Sequence, residues 1–490
     1  MAQCVNYFPQ KIIDAKAPSQ AHHRRMRALF VSLALMALPL WAAKPNFLVI
    51  VTDDQRPDTI GALGNPRIHT PNLDSLVKNG TTFTNFLCSN PLCVPSRAEI
   101  LTGCTGFRNG VLGMGRERMD PKMKLWPQTM SEAGYHTWYS GKWMNDGSPK
   151  TRGYEETGGL FSSGGGKWKR DQVVLGRKGR PITGYRNWTF KNAEGKPDLG
   201  KGIGLAPLTD KYIADGALEF LRRKTDKPFF LHVNFTGPHD PLVYPPGYEK
   251  KYNAANMKLP SNFLSRHPFD HGNFDGRDER LLPWPRTKAD VLDELAVYYA
   301  VIDNIDKQVG RLLGQLRADG RLKNTYVIFT SDHGLAIGSH GLMGKQNMYD
   351  HTIRVPFLIA GPGIAKGQRT KAFGYLRDMY PTVCELAGIG TPETVQAKSL
   401  VPVLRNPKKF IHEAGYGYFR DVQRMVQVGQ WKLVFYAPIN RYQLFDLKVD
   451  PHEMNDLIKA KSCQARVAVM RQSLSKWFNE QEDAVFQSLE

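Results

Sequence analysis

Four apolar, strand-like runs in this sequence end in side chains that can move protons, hold a metal ion or pair with an anion. Phe47–Thr52 leads into Asp53-Asp54, and Tyr326–Ser331 into Asp332-His333-Gly334. Phe229–Thr236 leads into Pro238-His239, and Tyr135–Ser140 into Lys142. In open α/β sheets the ligand crevice lies outside the carboxyl ends of the strands. One aspartate after one strand is ordinary turn chemistry. Four strands delivering such groups to one edge point to a site. Three carboxylates gathered there repel one another unless a cation sits between them. Ligation by oxygen favours a hard ion, calcium or magnesium. His333 is either a fourth ligand or a contact for an anionic substrate.

A further segment with chemical potential is Cys93-Val94-Pro95-Ser96-Arg97-Ala98-Glu99-Ile100-Leu101-Thr102-Gly103. Ser96 is suited to cap a short helix starting near Arg97, which places Cys93 beside a helix N-terminus. Partial positive charge and free N–H groups make that end suited to an anion. On composition alone Cys93 would be a buried, inert thiol.

The elements that must position these groups alternate between apolar runs and helical patterns, as in an α/β domain around a largely parallel sheet. Phe47-Leu48-Val49-Ile50-Val51 is continuous rather than alternating, which predicts a strand buried on both faces. Thr70 and Pro71 open a helix whose apolar face is Leu73, Leu76 and Val77, and Gly80 closes it. The longest helix is predicted from about Asp290 to Ala318. Residues 159–206, rich in Gly, Lys and Arg, read as a long surface loop, and 260–287 as a second irregular insert. Beyond about residue 405 short strands such as Arg424–Val428 and Lys432–Tyr436 precede a helix over 464–478.

The 490 residues carry 66 Lys and Arg against 46 Asp and Glu, a formal charge of +20. That excess suits anionic partners, whether acidic polysaccharide, nucleic acid or a membrane surface, and the lack of a nucleic-acid-binding motif disfavours nucleic acid. Six cysteines are too few for a disulfide scaffold. Arg24, Arg25 and Arg27 precede the apolar run Leu29–Trp41 and the small pair Ala42-Ala43, the pattern of a secretion signal. The expectation is therefore a secreted or periplasmic protein with no transmembrane segment after signal removal, its true start at Met26.

The segment from Cys93 resembles the signature of the type I, formylglycine-dependent sulfatases, Cys-x-Pro-Ser-Arg followed by Thr-Gly. Thr52-Asp53-Asp54, Gly141-Lys142-Trp143, Gly237-Pro238-His239, Ser331-Asp332-His333-Gly334 and Lys345 ahead of Arg354-Val355-Pro356 agree with it. So do Leu444-Phe445-Asp446-Leu447 and Asp450-Pro451-His452-Glu453. The resemblance spans residues 44–460 outside the two inserts. It implies an alkaline-phosphatase-like α/β fold with a mostly parallel central sheet flanked by helices. After an N-terminal extension and signal (1–43), a catalytic domain would occupy 44–404. A small α+β domain with an antiparallel sheet would occupy 405–490.

The resemblance further implies that a maturation enzyme oxidises Cys93 to formylglycine, whose hydrate attacks sulfur and then ejects sulfate. Asp53, Asp54, Asp332, His333 and the modified Cys93 would surround calcium, with magnesium as the alternative. Arg97 would hold the hydrate, Lys142 and Lys345 the sulfate oxygens, and His239 would protonate the leaving oxygen. One position departs from the family: its usual His two residues after the Lys of Gly-Lys-Trp is Met144 here. The substrate expected is a sulfated glycan, because Lys167–Lys201 holds ten Lys or Arg against three acidic residues, interleaved with Trp168, Tyr185 and Trp188. Two other readings stay open: a phosphate or phosphonate ester hydrolase of the same superfamily, and a glycan-binding relative with impaired turnover.

Overall fold

The continuous apolar runs form the middle of a ten-stranded sheet in a computed structural model of the chain, which describes residues 44–115, 117–163, 177–180, 184–192 and 194–487. The predicted signal (1–43) and Lys167, Trp168, Lys169 and Arg170 lie outside the described residues. Along the chain the strands are β1 (Asn46–Thr52), β2 (Thr81–Leu87), β3 (His136–Trp143), β4 (Glu156–Ser163) and β5 (Trp188–Lys191). They continue as β6 (Pro197–Ile203), β7 (Phe229–Asn234), β8 (Thr325–Ser331), β9 (Phe357–Ala360) and β10 (Gln368–Tyr375). Their spatial order is β10-β2-β9-β8-β1-β7-β3-β4-β5-β6. Strands β8, β1, β7, β3 and β4 pair in parallel, and β9 is antiparallel to both of its neighbours.

β1 has apolar neighbours on both faces, as its unbroken run predicts. Phe47, Val49 and Val51 join a cluster with Trp126, Phe230 and Phe357. Leu48 and Ile50 join another with Ile213, Leu231 and Leu312. Burying five such side chains contributes on the order of 10 kcal/mol, a stiff support for the carboxylates that follow. The helices α1 (Pro71–Asn79), α3 (Thr209–Leu221) and α4 (Lys288–Ala318) cover the second face. α2 (Cys93–Thr102) packs Ala98, Ile100 and Leu101 on the first. Thr287 caps α4 by accepting from the N–H of Asp290, 3.1 Å away, so the helix begins at Lys288, two residues before the predicted start.

The 159–206 segment departs from its sequence reading as a loop. Parts of it form β4, β5 and β6, and the last two extend the sheet by antiparallel pairing. Their few apolar residues, Phe161, Trp188 and Phe190, pack against one another. The 260–287 insert is irregular, as expected, apart from one short 3-10 turn at Asp278–Leu281.

A separate antiparallel sheet follows: β11 (Ala414–Phe419), β12 (Gln423–Val428), β13 (Trp431–Tyr436) and β14 (Arg441–Asp446). The helix α5 (Gln464–Glu480) lays Val467, Met470, Leu474 and Phe478 against Val426, Leu433 and Leu444. Buried polar links join this sheet to segments around the first one. Tyr418 donates to Glu99 on α2 at 2.6 Å, and Lys432 pairs with Asp350 at 2.7 Å. No helix among the described residues is long and apolar enough to cross a membrane.

Candidate active site

β8, β1, β7 and β3 are consecutive and parallel, so their C-termini lie side by side. The register Thr52↔Ser331 sets Asp53 beside Asp332. The pairings of Asn234 with Val51 and Gly141 extend that line towards Lys142. Successive side chains on a strand point to opposite faces, which would separate Asp53 from Asp54. The chain avoids this by turning: Asp54 adopts φ +67°, a conformation uncommon outside glycine. Tyr298 secures the turn by donating to the Asp54 carbonyl at 2.6 Å. Lys142 lies within β3 rather than beyond its end. Gly141 at φ +105° and a register shift against β4 turn the lysine inward, where it pairs with Asp53.

α2 starts at Cys93, not near Arg97. Its N-cap is Leu92, and the first helical hydrogen bond runs from the Ser96 N–H to the Leu92 carbonyl at 3.0 Å. Pro95 is tolerated in that first turn because its missing N–H would have no helical partner. Ser96 therefore is not the cap; its hydroxyl donates back to the Cys93 carbonyl at 3.2 Å. The sequence reading keeps its main consequence, since Cys93 is the first residue of a helix.

Cys93 Sγ lies 3.4 Å from Asp53 Oδ1, 3.3 Å from His333 Nε2 and 3.4 Å from Lys345 Nζ. Burial and Asp53 work against ionisation of the thiol, but Lys142, Lys345 and His333 prevail and hold it well below the usual range. Lys345 bonds both oxygens of Asp54, at 2.8 and 3.1 Å. Arg97 places Nε and Nη2 each 3.0 Å from Asp332 Oδ2, and its Nη1 donates to Asn234. His333 Nδ1 is 3.1 Å from Asp54 Oδ1.

Asp53, Asp54 and Asp332 are essentially inaccessible to solvent. Burial, with Asp53 adding its charge, raises Asp332 to about 7, and burial outweighs Lys345 to raise Asp54. Asp53 differs: against its burial, Lys142, His239 and Arg97 prevail and hold it well below the usual carboxylate range. It is therefore Asp54 and Asp332 that have less positive charge around them than their ionised forms require. Ligand atoms of Asp53, Cys93, Asp332 and His333 all lie within 4.8 Å of one another, as do those of Asp53, Asp54, Cys93 and His239. The two groups share Asp53 and Cys93, and the carboxylate oxygens they offer suit a hard divalent cation.

His239 follows β7. Its Nδ1 faces the Asp240 carboxylate at 3.0 Å, and Arg277 holds that carboxylate at 2.8 and 3.1 Å. Burial and Lys345 oppose a charge on His239, but Asp54, Asp240 and Asp53 prevail and raise it to about 10. The ring lines a cavity of about 210 Å³ together with Cys93, Lys345, Tyr185, Trp188 and Met144. Met144, where a histidine was expected, thus opens onto the same space as Cys93.

All nine sequence-predicted residues, Asp53, Asp54, Cys93, Arg97, Lys142, His239, Asp332, His333 and Lys345, converge on this site. Three further residues join them. Asn234 ends β7 at the same edge, so the strand-end rule that found the aspartates extends to it. Arg277 comes from the 260–287 insert, with no local signal. Tyr185 was read as a surface ring for sugars. It is instead buried, donating to Asp53 Oδ2 at 2.7 Å with its ring 4.7 Å from His239 and 5.2 Å from Lys142 Nζ.

Comparison with known proteins agrees with this geometry. The sulfatase family model matches residues 45–389, and the model of the N-sulphoglucosamine sulphohydrolase C-terminal region matches 338–480. The arylsulfatase of Clostridium perfringens is 30% identical over 460 residues, covering 88% of this chain and 94% of its own. The N-acetylglucosamine-6-O-sulfatase of Bacteroides thetaiotaomicron is 26% identical over 500 residues, 87% of this chain and 85% of its own. A solved structure of a protein with its substrate D-glucosamine-2-N,6-O-disulfate superposes with a TM-score of 0.73 at 24% identity, over 90% of this chain and 99% of that one.

Proposed function

Since the chain belongs to the sulfatase family of the alkaline phosphatase superfamily and is a sulfuric ester hydrolase, we propose that it releases sulfate from a sulfated carbohydrate through a formylglycine derived from Cys93 and a divalent cation, calcium or magnesium. The observation that carries this reading is the position of Cys93 Sγ, between Asp53, His333 and Lys345 and open to a cavity that His239 also lines. Support for a carbohydrate comes from the Bacteroides relative named for a sugar sulfate and from the sugar disulfate bound in the solved neighbour.

Asp53, Asp54, Asp332 and His333 would hold the cation. Once bound, it would offset their charge and polarise an oxygen on residue 93, while the hydrated aldehyde would supply the nucleophile. Lys142 and Lys345 would neutralise the sulfate oxygens, and fixed charges in a dry site cost no reorganisation during reaction. His239 is fixed at Nδ1 by Asp240, which leaves Nε2 as the proton donor towards a leaving alcohol oxygen. Arg97, held by Asp332 and Asn234, would orient residue 93 and balance its charge. The N-terminal pattern extends the proposal to a secreted or periplasmic address.

The test is expression beside a formylglycine-generating enzyme, peptide mass spectrometry at residue 93, and sulfate release from sulfated sugars. Matched aryl sulfate, phosphate and phosphonate esters accompany it. The expected result is an aldehyde at residue 93, with sulfate esters preferred and activity absent in Cys93→Ala. Preference for phosphonate, or full activity with an unmodified thiol, refutes the proposal.

A further inference from the structure

A larger cavity of about 450 Å³ lies where the loop after β1 meets residues 258–262, the N-terminal half of α4 and the Asp350–Arg354 turn. It shares no lining residue with the Cys93 cavity. Its volume is within the range of small-molecule sites, about 300–1,000 Å³.

His351 lines this cavity at 6% exposure, and neither of its ring nitrogens has a hydrogen-bond partner among the described residues. Burial, with His340 and Arg56 adding to it, keeps the ring neutral, so it offers one donor and one acceptor. A buried imidazole in that state is unfavourable unless something in the cavity satisfies it.

The charges in the wall are unevenly matched. Asp58 pairs with Arg56 at 2.8 Å, Asp350 with Lys432 at 2.7 Å, and Glu453 with the same lysine at 2.6 Å. Asp350 also pairs with Arg354 at 2.8 Å, so the three carboxylates of the wall face three cations, Arg56, Arg354 and Lys432. Arg67 and Lys258 are exposed at the rim, and neither has a carboxylate within 4.0 Å among the described residues. The unanswered charge of the cavity is positive. Leu259, Leu295 and Pro260 add apolar surface, and the Tyr299 hydroxyl adds a polar contact.

We propose that this cavity is a second carbohydrate site, which binds an anionic, sulfated saccharide unit of the polymeric substrate away from the residues that cut it. Arg67 and Lys258 take the sulfate groups, His351 and Tyr299 take ring hydroxyls, and the leucines and proline take the C–H faces. The site would hold long chains near the enzyme and leave small esters unaffected. The proposal rests on the sulfated-carbohydrate reading above.

The test uses the mature, metal-loaded full chain and two rim variants, the double charge reversal Arg67→Glu with Lys258→Glu, and Ser261→Trp, which blocks the mouth. These positions are exposed, so the fold is expected to survive. Calorimetry with heparin and κ-carrageenan hexasaccharides should show two classes of site in the parent and one in each variant. KM for a hydrolysed hexasaccharide should rise about tenfold in the variants, the order expected from reversing two screened charges. Aryl sulfate kinetics should stay at the parental level. A single class of site in the parent with both probes overturns the second site, and so does an equal loss on aryl sulfate. Two classes of site without any sulfate release from hexasaccharide would overturn the carbohydrate-hydrolase reading and leave the second site standing.

Discussion

Tyr185→Phe removes one oxygen from the site and keeps the ring that stands 4.7 Å from His239. The lost hydroxyl donates to Asp53 Oδ2 at 2.7 Å in a buried environment. A hydrogen bond to a charged group contributes about 1.5–3 kcal/mol. Lys142 pairs with the same oxygen and remains, so Asp53 is not left bare. That places the loss at the low end, about 1.5 kcal/mol, or roughly tenfold in a dissociation constant. Outer partners of metal-binding groups typically contribute about 10–100-fold, which agrees. The expected outcome is a tenfold rise in the calcium concentration giving half-maximal activity, with most of kcat recovered at saturating calcium. The assay is aryl sulfate turnover at stepped free calcium after chelation, beside calcium binding by calorimetry. An unchanged calcium midpoint refutes the reasoning. A kcat loss that calcium cannot restore would place the hydroxyl in the chemical step instead.

Three further outcomes are expected. Chelation should abolish activity, and calcium or magnesium should restore it; full activity in protein shown metal-free by elemental analysis would contradict the carboxylate cluster as a cation site. With Met144 a weak acceptor in place of a base, alcohol should appear as a burst of about one equivalent per modified site, then slowly. Met144→His should remove that burst and raise the steady rate by about a hundredfold or more, as read by rapid-quench kinetics. Asp483→Ala should strand the buried guanidinium of Arg424, which Asp483 bonds at 2.8 Å. Breaking such a pair costs about 3–5 kcal/mol, and thermal or denaturant unfolding should show it without a change in KM.

The sequence exposed most of the site because strand direction is written in local patterns. An unbroken apolar run predicts a strand covered on both faces, and parallel strands end on one edge. Asp53, Asp332, His239 and Lys142 could therefore be grouped before any contact was known. What local pattern cannot carry is the return of a remote segment. Tyr185 lies in a stretch whose charges suggested solvent, yet β5 and β6 pair antiparallel beyond β4 and bring it to Asp53. Arg277 reaches Asp240 from an insert with no periodicity at all. The start of α2 was misplaced by four residues because Ser96 is a good cap by type. Its position after Pro95 in the first turn is a matter of backbone geometry that residue preference does not settle.

The candidate ligands come from β1, β8 and the start of α2, and the lysines from β3 and the loop beyond β8, so they span Asp53 to Lys345 along the chain. No fragment of the sheet contains the set. A cation that requires all of them binds the folded chain and not the unfolded one, and such binding is coupled to folding. At a free concentration a hundred times its dissociation constant, an ion adds about 2.7 kcal/mol to the stability of the state that holds it. Ambient calcium would then set more than the rate of catalysis. In a medium poor in the ion, the same three buried carboxylates would become a strain on the whole sheet, and resistance to heat and to proteases would fall with the metal.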